Sequence, residues 1–364
     1  MNFHGGYFGS KGMMDFSVNI PPLSYPEGLK ELMFSTFDEL RNYPEIDGIS
    51  ARDAIARKTG YDSEKIILGN GATELIYLYS RSIGVSKALI LEPTFTEYRR
   101  ALELNQVEVH SFSLLDFVKS DESLLSIDVH HSALLTQIIE RILTQKIELL
   151  VLCNPNNPTG HLYSSDFIQK IIEGVNNPDF KIFIDESFLD FVSSDKLRAC
   201  NLEASDLKNV FLLRSMTKNF EVPGLRIGYG LSDFETIKKM GRYKEPWSLN
   251  AFALKAIPFL VDQEDHIKRI KKWCQEESDF ISEALSRVEG LFYYKGEANY
   301  FLIKIPELMH LTFFDKMLAR KIYLRKCEDF MGLGKPYYRI AIRERDENRL
   351  MVDAIQEVFS EYKI

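Results

Sequence analysis

The stretch that decides the fold is Val210-Phe211-Leu212-Leu213-Arg214-Ser215-Met216-Thr217-Lys218. An apolar run followed at once by polar residues is typical of a short buried strand that ends in a loop. Open α/β sheets carry their sites at the carboxyl ends of strands, so Ser215 and Lys218 lie where chemistry is expected. A lysine there can act as a Schiff-base nucleophile, whereas a lysine taken at random is nearly always a solvated surface residue.

Two other motifs point to different functions, and both are incomplete. Ser215-x-x-Lys218 matches the S-x-x-K of penicillin-binding serine enzymes, and Lys58-Thr59-Gly60 supplies a K-T-G. That triplet precedes the serine, and no S-D-N lies between the two motifs, so the serine-hydrolase interpretation is weak. Gly228-Tyr229-Gly230 lacks the third glycine of a dinucleotide-binding fingerprint and does not open a helix.

Composition limits the possible partners. The chain has 364 residues, 45% of them hydrophobic, enough for one large or two ordinary domains. A net charge of −8 argues against nucleic acid as the main partner. Scattered cysteines without a C-x-x-C pair predict reduced thiols and no metal site. Because the chain shows neither a signal peptide nor an apolar run that could span a bilayer, we expect a cytoplasmic protein with no membrane partner.

Strand-like runs, most of them separated by helical stretches, predict an α/β fold with a largely parallel central sheet. The runs cover residues 88–91, 107–112, 147–153, 180–184, 210–213 and 227–231. A long helix is predicted over residues 250–288, followed by α+β signals. We therefore predict an N-terminal arm over 1–30, a large domain over 31–250 and a small domain over 251–364. Residues 31–45 could belong to the small domain instead.

Two further segments each fit two different structural interpretations. Asp15-Phe16-Ser17-Val18-Asn19-Ile20-Pro21-Pro22 fits either a loop across a site or a strap that closes the fold, and we favour the strap. Gly69-Asn70-Gly71-Ala72-Thr73 joins an apolar strand to a helix that starts near Ala72. Its glycines and free N–H groups suit an anion, but a plain Asn-Gly turn before a capped helix fits equally well.

Polar clusters follow four of the predicted strands. They are Glu92-Pro93-Thr94-Phe95, Asn154-Pro155-Asn156-Asn157-Pro158-Thr159-Gly160, Asp185-Glu186-Ser187-Phe188 and the segment from Ser215 to Lys218. Four such endings at one edge of a sheet form a constellation that chance explains poorly.

These motifs, together with Arg226-Ile227-Gly228-Tyr229-Gly230, resemble those of the class I/II aminotransferases, and they occur in the family's order over nearly the whole chain. The family consists of fold-type I enzymes that use pyridoxal phosphate. The resemblance implies that Lys218 forms a Schiff base with the cofactor and later serves as acid and base at the substrate's α-carbon. It also implies that Asp185 keeps the ring nitrogen protonated, which the cofactor needs in order to act as an electron sink.

The resemblance implies further cofactor contacts. Phe95 would stack on the ring, and Asn157 would reach the ring's phenolic oxygen. The phosphate would be held by groups that offer positive charge or N–H and O–H donors, namely Arg226, Ser215 and the helix start at Gly71, Ala72 and Thr73. Tyr43 matches a tyrosine that the family sends to the partner's cofactor phosphate, which implies a homodimer with shared active sites.

The chain departs from the family pattern at one position. The family usually has a tyrosine three residues after the aspartate, where it donates a hydrogen bond to the phenolic oxygen, and here that residue is Phe188. Loss of this donor leaves Asn157 as the principal partner. We therefore predict a Schiff base that is harder to deprotonate than in typical transaminases.

Within the family, local stretches resemble the branch that contains histidinol-phosphate aminotransferase and the threonine-phosphate decarboxylase of cobalamin biosynthesis. Arg339 matches the arginine that pairs with a substrate carboxylate. Arg325, with Arg343 as a second candidate, would hold a substrate phosphate, and Asn19 is a candidate substrate contact. A solvated salt bridge fits each of these arginines about equally well. The small-molecule substrate is thus expected to be a phosphorylated amino acid or amine.

The stretches that resemble the decarboxylase include residues 15–20, 97–102, 185–188, 325–330 and 339–343. They favour L-threonine O-3-phosphate decarboxylation, and the alternative is amino transfer between histidinol phosphate and 2-oxoglutarate. A non-catalytic binding protein on this fold would usually lose the lysine or add a DNA-binding segment. This chain keeps Lys218 and has no basic patch.

Overall fold

The computed structural model describes residues 5, 6, 11–127, 132–200 and 208–362. The strands are β1 Met14–Asp15, β2 Ile66–Asn70, β3 Lys87–Glu92, β4 Glu108–Ser113, β5 Val118–Asp121, β6 Leu124–Ile127, β7 Leu149–Cys153, β8 Lys181–Asp185, β9 Val210–Ser215, β10 Ile227–Leu231, β11 Phe292–Lys295, β12 Tyr300–Lys304, β13 Ile322–Tyr323, β14 Arg325–Lys326 and β15 Tyr337–Ala341. The α-helices are α1 Leu29–Thr36, α2 Ile49–Thr59, α3 Ala72–Ser82, α4 Glu97–Leu104, α5 Ser132–Gln145, α6 Ser165–Val175, α7 Ser194–Cys200, α8 Phe234–Gly241, α9 Ala251–Leu260, α10 Glu264–Ser286, α11 Phe313–Ala319 and α12 Arg345–Ser360.

A seven-stranded sheet in the order β2-β10-β9-β8-β7-β3-β4 forms the centre of the fold. Strands β9, β8, β7, β3 and β4 run parallel to one another, and β10 is antiparallel to both β2 and β9. The predicted α/β fold with a mostly parallel sheet is confirmed. Because the parallel strands share a direction, their polar carboxyl ends meet at one edge.

Both faces of this sheet are buried, which explains the continuous apolar runs in the sequence. Leu150 and Leu152 of β7 belong to one apolar cluster, whereas Leu149 and Val151 belong to the cluster on the opposite face. Alternate residues of a strand point to opposite faces, so helices must cover each side.

A second sheet has six strands in the order β14-β15-β12-β11-β6-β5. Its last two strands are the hairpin β5–β6, which comes from the segment that the sequence assigns to the large domain. Strand β6 pairs in parallel with β11, with Tyr293 opposite Leu124. This pairing joins segments that are remote in sequence, so no local sequence pattern predicts it.

The prediction of one continuous helix over residues 250–288 is wrong. Helix α9 ends at Leu260 and α10 begins at Glu264. Helix α9 contributes Ala253, Ala256, Ile257 and Leu260 to the cluster under the central sheet, whereas α10 contributes Ile270, Cys274, Ile281 and Leu285 to the core of the second sheet. The chain therefore changes direction where it passes from one core to the other.

The N-terminal arm is held by the second sheet. Strand β1 pairs in parallel with β13, and the amide of Ala341 donates a hydrogen bond of 2.8 Å to the carbonyl of Phe16. The Phe16 side chain is fully buried in the second core. The arm is thus tied down as the predicted strap. Among the helices of the described residues, none combines the length and the apolar character that a membrane span requires.

Candidate active site

A cavity of about 210 Å³ lies at the carboxyl edge of the central sheet. The predicted site residues that line it are Asn19, Ala72, Thr73, Phe95, Asn157, Asp185, Lys218, Arg325 and Arg339. The structure thus brings together residues from the arm, from the start of α3, from four strand ends and from the second sheet.

Asp185 is the last residue of β8, and its carboxylate is buried. The amide of Ser187 donates to its Oδ1 at 2.8 Å, and the Tyr98 hydroxyl donates to its Oδ2 at 2.7 Å. Hydrogen bonds that are donated to a carboxylate favour its charged form. Both oxygens of Asp185 are therefore held by donors of the chain itself.

Lys218 lies in the turn that follows β9. Its Nζ is 4.8 Å from the ring centroid of Phe188, a contact that favours the ammonium form. Burial lowers the pKa of Lys218, and the charge of Asp185 opposes that shift. A lowered pKa increases the fraction of neutral amine, which is the nucleophilic form.

The start of α3 forms an anion cradle. Gly71 caps the helix with φ 80° and supplies no side chain to its free N–H groups. A Cβ on Gly71 would collide with the Arg226 guanidinium, and a Cβ on Gly228 would stand 2.8 Å from the amide nitrogen of Ala72. Glycine at both positions lets a cation and a strand pack against the helix start, which suits a phosphate dianion.

Arg339 faces the cavity from β15 and is 6% exposed. Its Nη1 donates to Asn157 Oδ1 at 2.7 Å and its Nη2 to the carbonyl of Ser17 at 2.9 Å, but its Nε has no hydrogen-bond partner among the described residues. Burial lowers the pKa of Arg339. The ordinary pKa of an arginine is so high that the guanidinium still stays charged. Because both contacts are with neutral groups, the cavity still favours an anion.

Asn19 and Arg325 complete this side of the cavity. Asn19 is buried, and its Nδ2 also lacks a partner within the described part of the chain. Arg325 is 8% exposed and donates from Nη2 to Asp329 Oδ2 at 2.6 Å. The arm is thus both a strap and a wall of the site, so the two alternatives for residues 15–22 hold together. Arg343 lies outside the cavity lining and pairs with Glu347 at 2.9 Å.

Four predicted site residues do not line the cavity itself. Gly71 and Arg226 form the cradle beside it, and Ser215 is buried with its Oγ 2.8 Å from Thr217 Oγ1. Tyr43 is 83% exposed and packs against Trp247 with ring centroids 4.9 Å apart. Tyr43 is therefore presented on the surface of its own chain.

Three further residues in or beside the site were not predicted from the sequence: Tyr98, Cys153 and Thr217. Tyr98 lies three residues after Phe95, a spacing that places two residues on one side of a helical turn, and this could have flagged it. Cys153 closes β7 and lines the cavity, but burial raises its thiol pKa to about 12 and keeps it neutral. Thr217 is connected to the site by the contact between its hydroxyl and that of Ser215.

Comparisons with known proteins agree with this geometry. The sequence model of the family described as aminotransferase class I and II matches residues 11–355. Threonine-phosphate decarboxylase of Salmonella typhimurium is 31% identical over 349 residues, which cover 96% of this chain and 92% of that protein. Histidinol-phosphate aminotransferase of Methanosphaera stadtmanae is 26% identical, over 90% of this chain and 86% of that protein.

Among solved structures, the histidinol-phosphate aminotransferase of Clostridium acetobutylicum superposes with a TM-score of 0.83 at 26% identity, covering 95% of this chain and 99% of that one. Fold and site together define a fold-type I, pyridoxal phosphate-dependent enzyme. More particularly, the chain belongs to the aminotransferase class I and II family.

The residues present fit pyridoxal phosphate: a buried carboxylate with two donors, a lysine of lowered pKa and a helix start without a capping side chain. When bound, this cofactor draws electrons away from the substrate's α-carbon. The chain's own residues then have two tasks. They must fix which bond at that carbon breaks, and they must supply or remove one proton there.

Proposed function

We propose that the protein decarboxylates L-threonine O-3-phosphate. The observation that carries this proposal is that two buried arginines, Arg339 and Arg325, face the same cavity as Lys218. A ligand with two separate anions, a carboxylate and a phosphate, would neutralise both. Histidinol phosphate has a phosphate but no carboxylate, so with that substrate one arginine would need another role.

In this proposal Arg339 binds the carboxylate, since it is the arginine whose Nε remains without a partner in the described chain. Arg325 binds the phosphate with help from Asn19. The C–C bond to the carboxylate breaks, its electron pair stays with the α-carbon, and CO2 leaves. Lys218, as an ammonium group, then gives one proton to the α-carbon.

We assign the cofactor contacts to the residues that the family pattern marks. Asp185 would pair with the ring nitrogen, Phe95 would stack on the ring, and Asn157 would meet the phenolic oxygen. The anion cradle would take the phosphate, through Ser215, Arg226 and the amides of Gly71, Ala72 and Thr73. Support comes from the lining of the cavity, which includes Asp185, Phe95 and Asn157, and from the helix start beside it, where Gly71 packs against the Arg226 guanidinium.

We further propose a cytoplasmic homodimer in which Tyr43 serves the partner's site. Tyr43 is mostly exposed and does not line the cavity of its own chain. Its ring neighbour Trp247 is also exposed, as are three large apolar side chains that precede it in the sequence, Phe34, Phe37 and Leu40. Exposed apolar side chains of this kind favour burial against another protein. Cys153, Cys274 and Cys327 are free and buried, as expected in a reducing compartment.

The test uses purified holoenzyme, L-threonine O-3-phosphate and no keto acid. We expect steady release of CO2 and one equivalent of aminopropanol phosphate per CO2. The matched control is Lys218→Ala protein under the same conditions. No CO2 from the wild-type enzyme would contradict the proposal.

The second candidate is histidinol-phosphate aminotransferase, which the 0.83 TM-score to such an enzyme favours. It predicts that glutamate forms when histidinol phosphate and 2-oxoglutarate are supplied together. In that case Arg339 would bind the carboxylate of 2-oxoglutarate or glutamate.

A further inference from the structure

We propose that Tyr98 is a positioning residue that keeps the proton on the cofactor's ring nitrogen by stabilising the ionised carboxylate of Asp185. This inference rests on the role proposed above for Asp185. The sequence places Tyr98 three residues after Phe95 but does not reveal its partner, which is the carboxylate at the end of β8.

The geometry is that of a directed, water-excluded hydrogen bond. Tyr98 is 2% exposed and Asp185 is 5% exposed, and the phenol oxygen lies 2.7 Å from Oδ2. Burial is the main reason why the pKa of Tyr98 lies well above its ordinary value. The phenol therefore stays protonated and donates a hydrogen bond to the carboxylate. The other carboxylate oxygen accepts from the Ser187 amide at 2.8 Å.

Removing one of two donors from a buried carboxylate raises its affinity for a proton. Neither the Cys153 thiol nor the Lys218 amine replaces the phenol. The Cys153 thiol points to the carbonyl of Pro155 at 3.3 Å, and Lys218 is the amine that must stay available for chemistry. Without the phenol, a proton shared between Asp185 and the ring nitrogen would therefore move toward Asp185.

The same side chain also supports Phe95. The two rings meet edge to face with centroids 5.6 Å apart and an interplanar angle of 82°. Tyr98→Phe keeps this packing and removes the hydroxyl alone. The variant thus separates the electrostatic role of Tyr98 from a role in packing.

The experiment uses holoenzyme reconstituted with pyridoxal phosphate that carries ¹⁵N at the ring nitrogen. In Tyr98→Phe we expect the ¹⁵N resonance to move from the pyridinium position toward that of unprotonated pyridine. We also expect the Kd for pyridoxal phosphate to rise roughly tenfold, the size of a lost hydrogen bond to a charged group. Tyr79→Phe is the matched control, because Tyr79 packs against the same Phe183 ring and does not line the cavity.

An unchanged resonance in Tyr98→Phe would overturn the inference, even if the melting temperature fell. A resonance that stays at the wild-type position in Asp185→Asn would overturn the assigned role of Asp185 and the inference with it. The spectra are recorded without substrate. Failure of the enzyme to release CO2 from threonine phosphate would therefore count against the proposed function and leave the test of Tyr98 intact.

Discussion

The cavity has two walls that were built in different ways. The sheet-edge wall, formed by Ala72, Phe95, Asp185 and Lys218, comes from residues that follow a strand or begin a helix. The arginine wall, formed by Asn19, Arg325 and Arg339, comes from the arm and the second sheet. The residues of the first wall belong to motifs that can be recognised in the sequence. The second consists of residues brought together by the packing of the arm against the second sheet.

The walls also differ in how completely their polar groups are satisfied. Both oxygens of Asp185 accept hydrogen bonds from the chain. On the arginine wall, Arg339 Nε and Asn19 Nδ2 are buried and find no partner among the described residues. A buried donor without an acceptor is unfavourable, so the arginine wall is completed by what binds there. The sheet-edge wall suits a resident cofactor, and the arginine wall suits a substrate that comes and goes.

Among changes to the sheet-edge wall, Lys218→Ala should have the largest effect on activity. We expect turnover to fall by roughly 10³-fold or more, because both the covalent link to the cofactor and the proton donor are lost. Borohydride reduction followed by peptide mass spectrometry should find no pyridoxyl adduct. Lys272→Ala, an exposed lysine on α10, should keep both the adduct and the activity. An adduct on another lysine in Lys218→Ala would contradict the assignment.

Arg339→Lys tests whether the arginine wall is separate from the cofactor. Because a lysine cannot pair with a carboxylate in two places, we expect kcat/KM for threonine phosphate to fall by roughly 10²-fold. The Kd for pyridoxal phosphate, measured by absorbance titration, should stay near that of the wild type. Arg349→Lys on the exposed face of α12 serves as the control. If Arg339→Lys weakened cofactor binding as much as catalysis, the two walls would not be separate.

Phe188→Tyr sharpens the comparison, because it restores to the sheet-edge wall the donor that the family usually has. A phenol near the phenolic oxygen would stabilise the deprotonated Schiff base, and it would also replace the ring that Lys218 Nζ approaches. We expect the Schiff-base pKa to fall by about one unit in a spectrophotometric titration. A wild-type pKa already as low as that of the variant would refute the role given to Phe188.

The smallest effect on activity is expected from Glu221→Gln, behind the sheet-edge wall. The amide of Glu221 donates to the carbonyl of Lys218 at 3.3 Å, so the two share one turn. Both carboxylate oxygens lack hydrogen-bond partners in the described chain, and Oε1 lies 3.7 Å from Nε2 of buried His266. Burial raises the pKa of Glu221 to about 8, against the opposing charge of Arg269.

An unfolded chain releases this proton near pH 4, whereas the folded chain keeps it until about pH 8. The free energy of unfolding should therefore fall as pH rises through that window, and Glu221→Gln should remove this part of the slope. In urea titrations at pH 8.5 we expect the variant to be more stable than the wild type by roughly 2–4 kcal/mol, with little difference at pH 5. The exposed Glu289→Gln should leave the slope unchanged, and equal slopes for all three proteins would contradict the prediction.

Several features of the structure could not be predicted from the sequence, and the reasons can be identified. The β5–β6 hairpin joins the second sheet through β11, a pairing set by long-range packing. The break between α9 and α10 occurs because the two helices serve different cores, although their residues share one helical pattern. Tyr98 could not be assigned a role because its hydroxyl, on helix α4, contacts a carboxylate at the end of strand β8. In each case the deciding partner lies far away along the chain.

The sequence by itself determined the α/β fold, the family and the residues of the sheet-edge wall. Apolar runs that end in polar residues specify strands with reactive ends, and parallel pairing gathers those ends at one edge. The tertiary structure decided how Asn19, Arg325 and Arg339 meet, which of their donors lack partners and which phenol supports Asp185. These features depend on distances between remote segments, and such distances are set when the cores close and bury the intervening side chains.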